Sequence, residues 1–129
     1  MIFDGEEIKI KDIDANIINN KTIGFSIYII GEKGMEIEFC SNNEGIDPRA
    51  FKLNERVNIV KNIFWDISLK TSESYYLFDI TKDSVYLTKL EDNKYRLEGN
   101  ITNPDMIYTP LGENESFESL LIDVSFSFK

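Results

Sequence analysis

The chain has 129 residues and a formal net charge of −9, because 23 acidic residues outnumber 14 basic ones. This length suits a single domain spanning residues 1–129, which can bury a core without disulfides or a metal. Binding to phosphates requires clustered Lys and Arg, so the charge balance argues against a nucleic-acid-binding protein and favours either simple solubility or a basic protein partner.

The histidine and cysteine counts exclude most side-chain chemistry. The sequence has no histidine and a single cysteine, Cys40. Ser-His-Asp and Cys-His nucleophiles, histidine metal sites and cysteine-rich clusters are therefore excluded. We expect a protein without enzymatic activity, cofactor or metal. The lone cysteine and the lack of a signal peptide or a membrane-spanning run further predict a cytoplasmic protein that does not bind membranes.

The first part of the chain, residues 2–18, predicts one or two strands. Within it the segment DIDANI, residues 12–17, has the acidic spacing that opens an EF-hand calcium loop. Ile17 stands where that loop needs glycine, and Ile23 stands where it needs a bidentate glutamate, so we expect no calcium site. The inward-facing pair of these strands is expected to be Ile8 and Ile10.

A β-hairpin is predicted over residues 22–41, closed by the three-residue loop Glu32-Lys33-Gly34. Gly34 is expected in the left-handed conformation, which glycine adopts without steric cost. This loop fixes the register, because side chains alternate between the two faces of a strand. The resulting pairs are Ile29–Ile37 and Ile27–Phe39 on the buried face, and Tyr28–Glu38 and Ile30–Glu36 on the outer face.

The segment 47–70 fits both a helix and a strand. Asp47 and Pro48 form a favourable helix start, with a capping carboxylate before a proline in the first turn. Further along, the alternation of apolar residues and the many β-branched side chains favour strands. We expect one short helix near 48–54 and strands from about 55 to 70, and the helical alternative for residues 48–64 stays open.

A second hairpin is predicted over residues 84–102, with the loop Glu91-Asp92-Asn93 and Asn93 in the left-handed conformation. A two-residue loop would instead set Leu87 against Glu98 and would mix apolar and polar residues on both faces. The predicted pairs are Val85–Gly99, Leu87–Leu97 and Lys89–Tyr95 on one face, and Tyr86–Glu98, Thr88–Arg96 and Leu90–Lys94 on the other.

The preceding run, residues 75–80, continues the alternation and predicts a three-stranded meander over residues 75–102. A turn around Lys82 and Asp83 would place Ile80 opposite Val85 and Phe78 opposite Leu87.

The C-terminal segment 119–129 alternates most regularly, so we expect a docked strand with a continuous apolar side. Its inward residues are Leu120, Ile122, Val124, Phe126 and Phe128. Together, these elements predict an all-β, antiparallel fold with eight or nine strands in one sandwich or small barrel.

The outer positions of the two hairpins provide the candidate binding residues, which are Tyr28, Glu36, Glu38, Tyr86 and Glu98. Aromatic rings beside polar groups are typical of an interaction patch. We expect an acidic, non-enzymatic protein that binds a macromolecular partner, for instance an immunity-type inhibitor of a basic bacterial toxin. The alternatives are a small-ligand carrier with an unfilled barrel and a structural β module of a phage or surface assembly.

Overall fold

Two antiparallel six-stranded sheets pack face to face in the computed structural model, which describes residues 1–19, 23–41, 47–59, 67–79, 84–108 and 116–129. The prediction of an all-β antiparallel fold is therefore confirmed. The sheets form a sandwich and not a closed barrel. Twelve strands lie in the described residues, more than the predicted eight or nine, because several are only two to four residues long.

The first sheet contains the second predicted hairpin and the first and last strands in the described residues. Its strands, in spatial order, are β2 (Glu6–Glu7), β1 (Ile2–Phe3), β12 (Ser119–Phe126), β10 (Lys94–Thr102), β9 (Ser84–Glu91) and β6 (Arg56–Asn58). The turn between β1 and β2 is fastened to the start of β12, because an oxygen of the Asp4 carboxylate accepts the backbone N–H groups of Glu118 at 2.7 Å and Ser119 at 2.9 Å.

The second sheet contains the first predicted hairpin. Its strands, in spatial order, are β11 (Asp105–Tyr108), β8 (Tyr75–Asp79), β7 (Ile67–Lys70), β5 (Glu36–Ser41), β4 (Ile23–Gly31) and β3 (Ile10–Asn19). All four predicted cross-strand pairs of β4 and β5 are present. Gly34 has a φ of 72°, as its left-handed turn position requires.

The hairpin of β9 and β10 confirms five of the six predicted pairs. The exception is Leu90. Glu91 belongs to β9 and pairs with Lys94, so the turn contains only Asp92 and Asn93 and not the predicted three residues, and a bulge follows between Lys94 and Tyr95. A bulge inserts one extra residue into a strand, and here it absorbs the offset without turning either face over. Asn93 has a φ of 52°, the predicted left-handed conformation.

The predicted meander over residues 75–102 is wrong. Strand β8 belongs to the second sheet, where Phe78 pairs with Ile67 and Met106 instead of Leu87. The chain thus passes from one sheet to the other between β8 and β9. Alternation could not show this, because the inward side chains of both sheets of a sandwich meet the same core. Ile80, Lys82 and Asp83 lie outside the described residues.

The segment that was compatible with helix and strand contains both. A single turn of 3-10 helix covers Pro48–Ala50, capped by Asp47, whose carboxylate accepts the backbone N–H of Arg49 at 3.0 Å. The predicted strands follow as β6 and β7, and residues 60–66 between them are outside the described part of the chain. No helix within the described ranges has the length and apolar character of a membrane span.

Two aromatic clusters close the core between the sheets. Phe117 contacts Phe3 of the first sheet and Tyr76 and Phe78 of the second, with ring centroids 5.4, 5.4 and 5.0 Å away. The second cluster surrounds Phe128, whose ring contacts Tyr95 at 4.9 Å, Phe126 at 5.3 Å and Phe25 at 6.2 Å.

The predicted inward faces at the two ends of the chain are largely confirmed. All five apolar residues predicted for the C-terminal segment are buried, so its docked position is confirmed. Ile8 is also buried, whereas Ile10 is only half-buried and packs against the rim of the core. Ile10 begins an edge strand next to a bulge, which explains its partial cover.

Candidate functional site

The outer side of the second sheet carries an acidic surface. Its register places Tyr28 between Asp14 and Glu38, and Ile30 between Asp12 and Glu36. These residues share one side of the sheet because alternate residues of a strand point the same way. We call this surface the acidic face, and it consists of Asp12, Asp14, Tyr28, Ile30, Glu36 and Glu38.

The neighbours of Tyr28 on the acidic face raise its pKa. Its hydroxyl donates a hydrogen bond to the Glu36 carboxylate, a diagonal neighbour on the adjacent strand. This bond, together with burial and the charges of Glu36 and Glu38, raises the pKa of Tyr28 from its ordinary 10.0 to about 12. Ionising the phenol would place a third negative charge beside two carboxylates, so the neutral form is favoured.

We expect the substitution Glu36→Gln to lower the pKa of Tyr28 from about 12 towards 10. The folded protein holds the Tyr28 proton more tightly than the unfolded chain, so the stabilisation is complete below pH 10 and is lost as the pH rises through 12. NMR titration of the tyrosine Cζ carbons measures this value directly. Glu98→Gln is the control, since Glu98 lies on the other sheet, and an unchanged Tyr28 titration in Glu36→Gln would contradict the assigned cause.

The acidic face is only partly neutralised by the described cations. Lys129 pairs with Asp14 at 2.8 Å and lowers the pKa of that carboxyl, which also accepts a bond from Asn16. Lys70 lies opposite Glu36 in the register of β5 and β7. Within the described residues, neither Glu36 nor Glu38 forms an ion pair within 4.0 Å. Four carboxylates thus face two ammonium groups, and the surplus charge is centred on β5.

The other two candidate residues, Tyr86 and Glu98, are cross-strand neighbours on the outer side of the first sheet. The structure therefore does not bring the five predicted residues into one patch. Tyr28, Glu36 and Glu38 lie together, whereas Tyr86 and Glu98 lie on the opposite face of the sandwich. The alternation in each hairpin correctly predicted which residues lie on its outer side, but the two hairpins belong to different sheets.

Tyr86 and Glu98 belong to a charge-balanced network on the first sheet, which we call the ion-pair face. Arg96 makes two hydrogen bonds to the Asp123 carboxylate at 2.8 and 2.7 Å, and these bonds, together with the charge of Arg96, lower the pKa of that carboxyl. Arg56 and Arg96 each approach Glu98 at 3.7 Å. The Arg56 guanidinium lies 3.6 Å above the Tyr86 ring centroid, in a cation–π contact.

Sequence reasoning missed three residues of this network, Arg56, Arg96 and Asp123, as candidate site residues. Arg96 was detectable because it lies two residues from Glu98 on the same strand face. Arg56 and Asp123 reach the network only through the pairings of β6 with β9 and of β12 with β10, which join distant parts of the chain. No local pattern carries that information.

The remaining sequence candidates show no metal-binding geometry in the part of the chain that the structure describes. Asp12, Asp14 and Asn16 lie along the extended strand β3. Their side chains are therefore spread along the strand, whereas a calcium loop curls so that side chains at this spacing meet at one ion. The described residues contain no group of three or more potential metal-ligating side chains of the His, Cys, Asp and Glu types. Burial and the charge of Glu38 raise the pKa of the Cys40 thiol, which disfavours the reactive thiolate.

The two outer faces thus differ in their charge. The acidic face has unneutralised carboxylates around Tyr28, whereas the ion-pair face matches two guanidinium groups with two carboxylates. Comparison with known proteins adds no further guide, because no family model, curated protein or solved structure matches this chain.

Proposed function

We propose that the chain is a non-enzymatic binding protein whose acidic face engages a basic macromolecular partner. An immunity-type inhibitor of a basic bacterial toxin is the instance that fits best. The observation that supports this proposal is the surplus of carboxylate charge around Tyr28, where Asp12, Asp14, Glu36 and Glu38 are accompanied by only two lysines among the described residues, Lys70 and Lys129. A surplus of negative charge on a surface favours contact with a positively charged surface of a partner.

The acidic face also offers apolar contact area in addition to its charged groups. Ile30 and Leu77 are half-buried on this side of the sheet, and Tyr75, opposite Lys70 in the register, is 38% exposed. Aromatic and aliphatic groups beside charges are the usual composition of the centre of an interface, where the partner excludes water. Lysine or arginine side chains of a partner could pair with Glu36 and Glu38 while their aliphatic stems pack on these apolar neighbours.

Electrostatic complementarity predicts how such a complex forms. A net charge of −9 attracts a basic partner from a distance, and the local surplus on β5 orients the encounter. The association rate of the complex should therefore be high at low salt and lower at high salt. The reason is that the Debye length falls from about 10 Å at 0.1 M to about 3 Å at 1 M, which screens the attraction.

The test compares two double variants that remove equal charge. Glu36→Gln with Glu38→Gln neutralises the acidic face, and Glu7→Gln with Glu91→Gln neutralises two exposed carboxylates of the first sheet. A partner captured from a host-cell lysate is purified, and its association rate is measured by surface plasmon resonance at low and high salt. We expect the first variant to associate about tenfold more slowly and the second to be unchanged.

Three outcomes would contradict the proposal. They are a partner without a basic surface, an association rate that does not depend on salt, and equal rates for both double variants. The carrier alternative assumed an unfilled barrel, whereas the inward residues Phe78, Leu87 and Leu97 are fully buried in a sandwich, so it has less support. The structural-module alternative stays a prediction.

A further inference from the structure

We draw no further inference here: the strongest candidate, the groove of about 430 Å³ on the outer side of the first sheet next to the ion-pair face, places the exposed side chains of Ile2 and Leu121 beside both cationic and anionic groups, and nothing in the structure shows what covers it.

Discussion

Replacing Phe117 with alanine is expected to lower the free energy of unfolding by about 3–5 kcal/mol. The Phe117 side chain is 2% exposed and lies between the sheets, where it contacts Phe3 on one side and Tyr76 and Phe78 on the other. Its removal leaves a cavity that two stiff sheets cannot close, and it also breaks three edge-on or tilted ring contacts.

Urea unfolding followed by circular dichroism measures this loss. Leu53→Ala is the control, because Leu53 is 62% exposed and its truncation should change stability by less than about 0.5 kcal/mol. Phe117→Leu keeps most of the apolar volume and should fall between the two. A loss below about 1 kcal/mol for Phe117→Ala would contradict a ring packed between the sheets.

Phe128→Ala should cost about 3 kcal/mol, because it removes the centre of the second aromatic cluster. Phe128 is 5% exposed, contacts Phe25 of the second sheet, and packs on Tyr95 and Phe126 of the first. Its backbone carbonyl also accepts a bond from Asn93 Nδ2 at 2.9 Å, which fastens the segment after β12 to the turn between β9 and β10.

The neighbouring substitution Ser127→Ala is the control for Phe128, since Ser127 is exposed on the opposite side of the same segment. Thermal or chemical unfolding of both variants separates the effect of the ring from any disturbance of the backbone. Equal stabilities for the two variants would show that the segment after β12 does not dock through Phe128.

Local sequence information predicted the hairpins well. The turn residues Gly34 and Asn93 set the loop lengths, and the loops set the register, because a shift of one residue would have turned every apolar side chain outward. The same alternation predicted which residues of the C-terminal segment are buried. The cap at Asp47 was also correct, since capping depends on neighbouring residues only.

The residue pattern of a single segment does not show which strands share a sheet. The pattern around Phe78 gave its inward side correctly but not the sheet to which it belongs, and the predicted meander failed for that reason. The same limit affected the candidate site, because Tyr28 and Tyr86 have similar surroundings in the sequence but occupy opposite faces. Arg56 and Asp123 join Glu98 only through long-range pairings, so the ion-pair face became visible only in the structure.

The position of β12 has a consequence for the order in which the fold can form. This strand is the last of the described elements in the chain, yet it lies inside the first sheet, between β1 and β10. During synthesis, β1 and β10 therefore have no common neighbour until residues 119–126 have left the ribosome. Until then, the edge of β10 that pairs with β12 is open, and an unpaired strand edge is a feature that favours aggregation of incompletely folded chains.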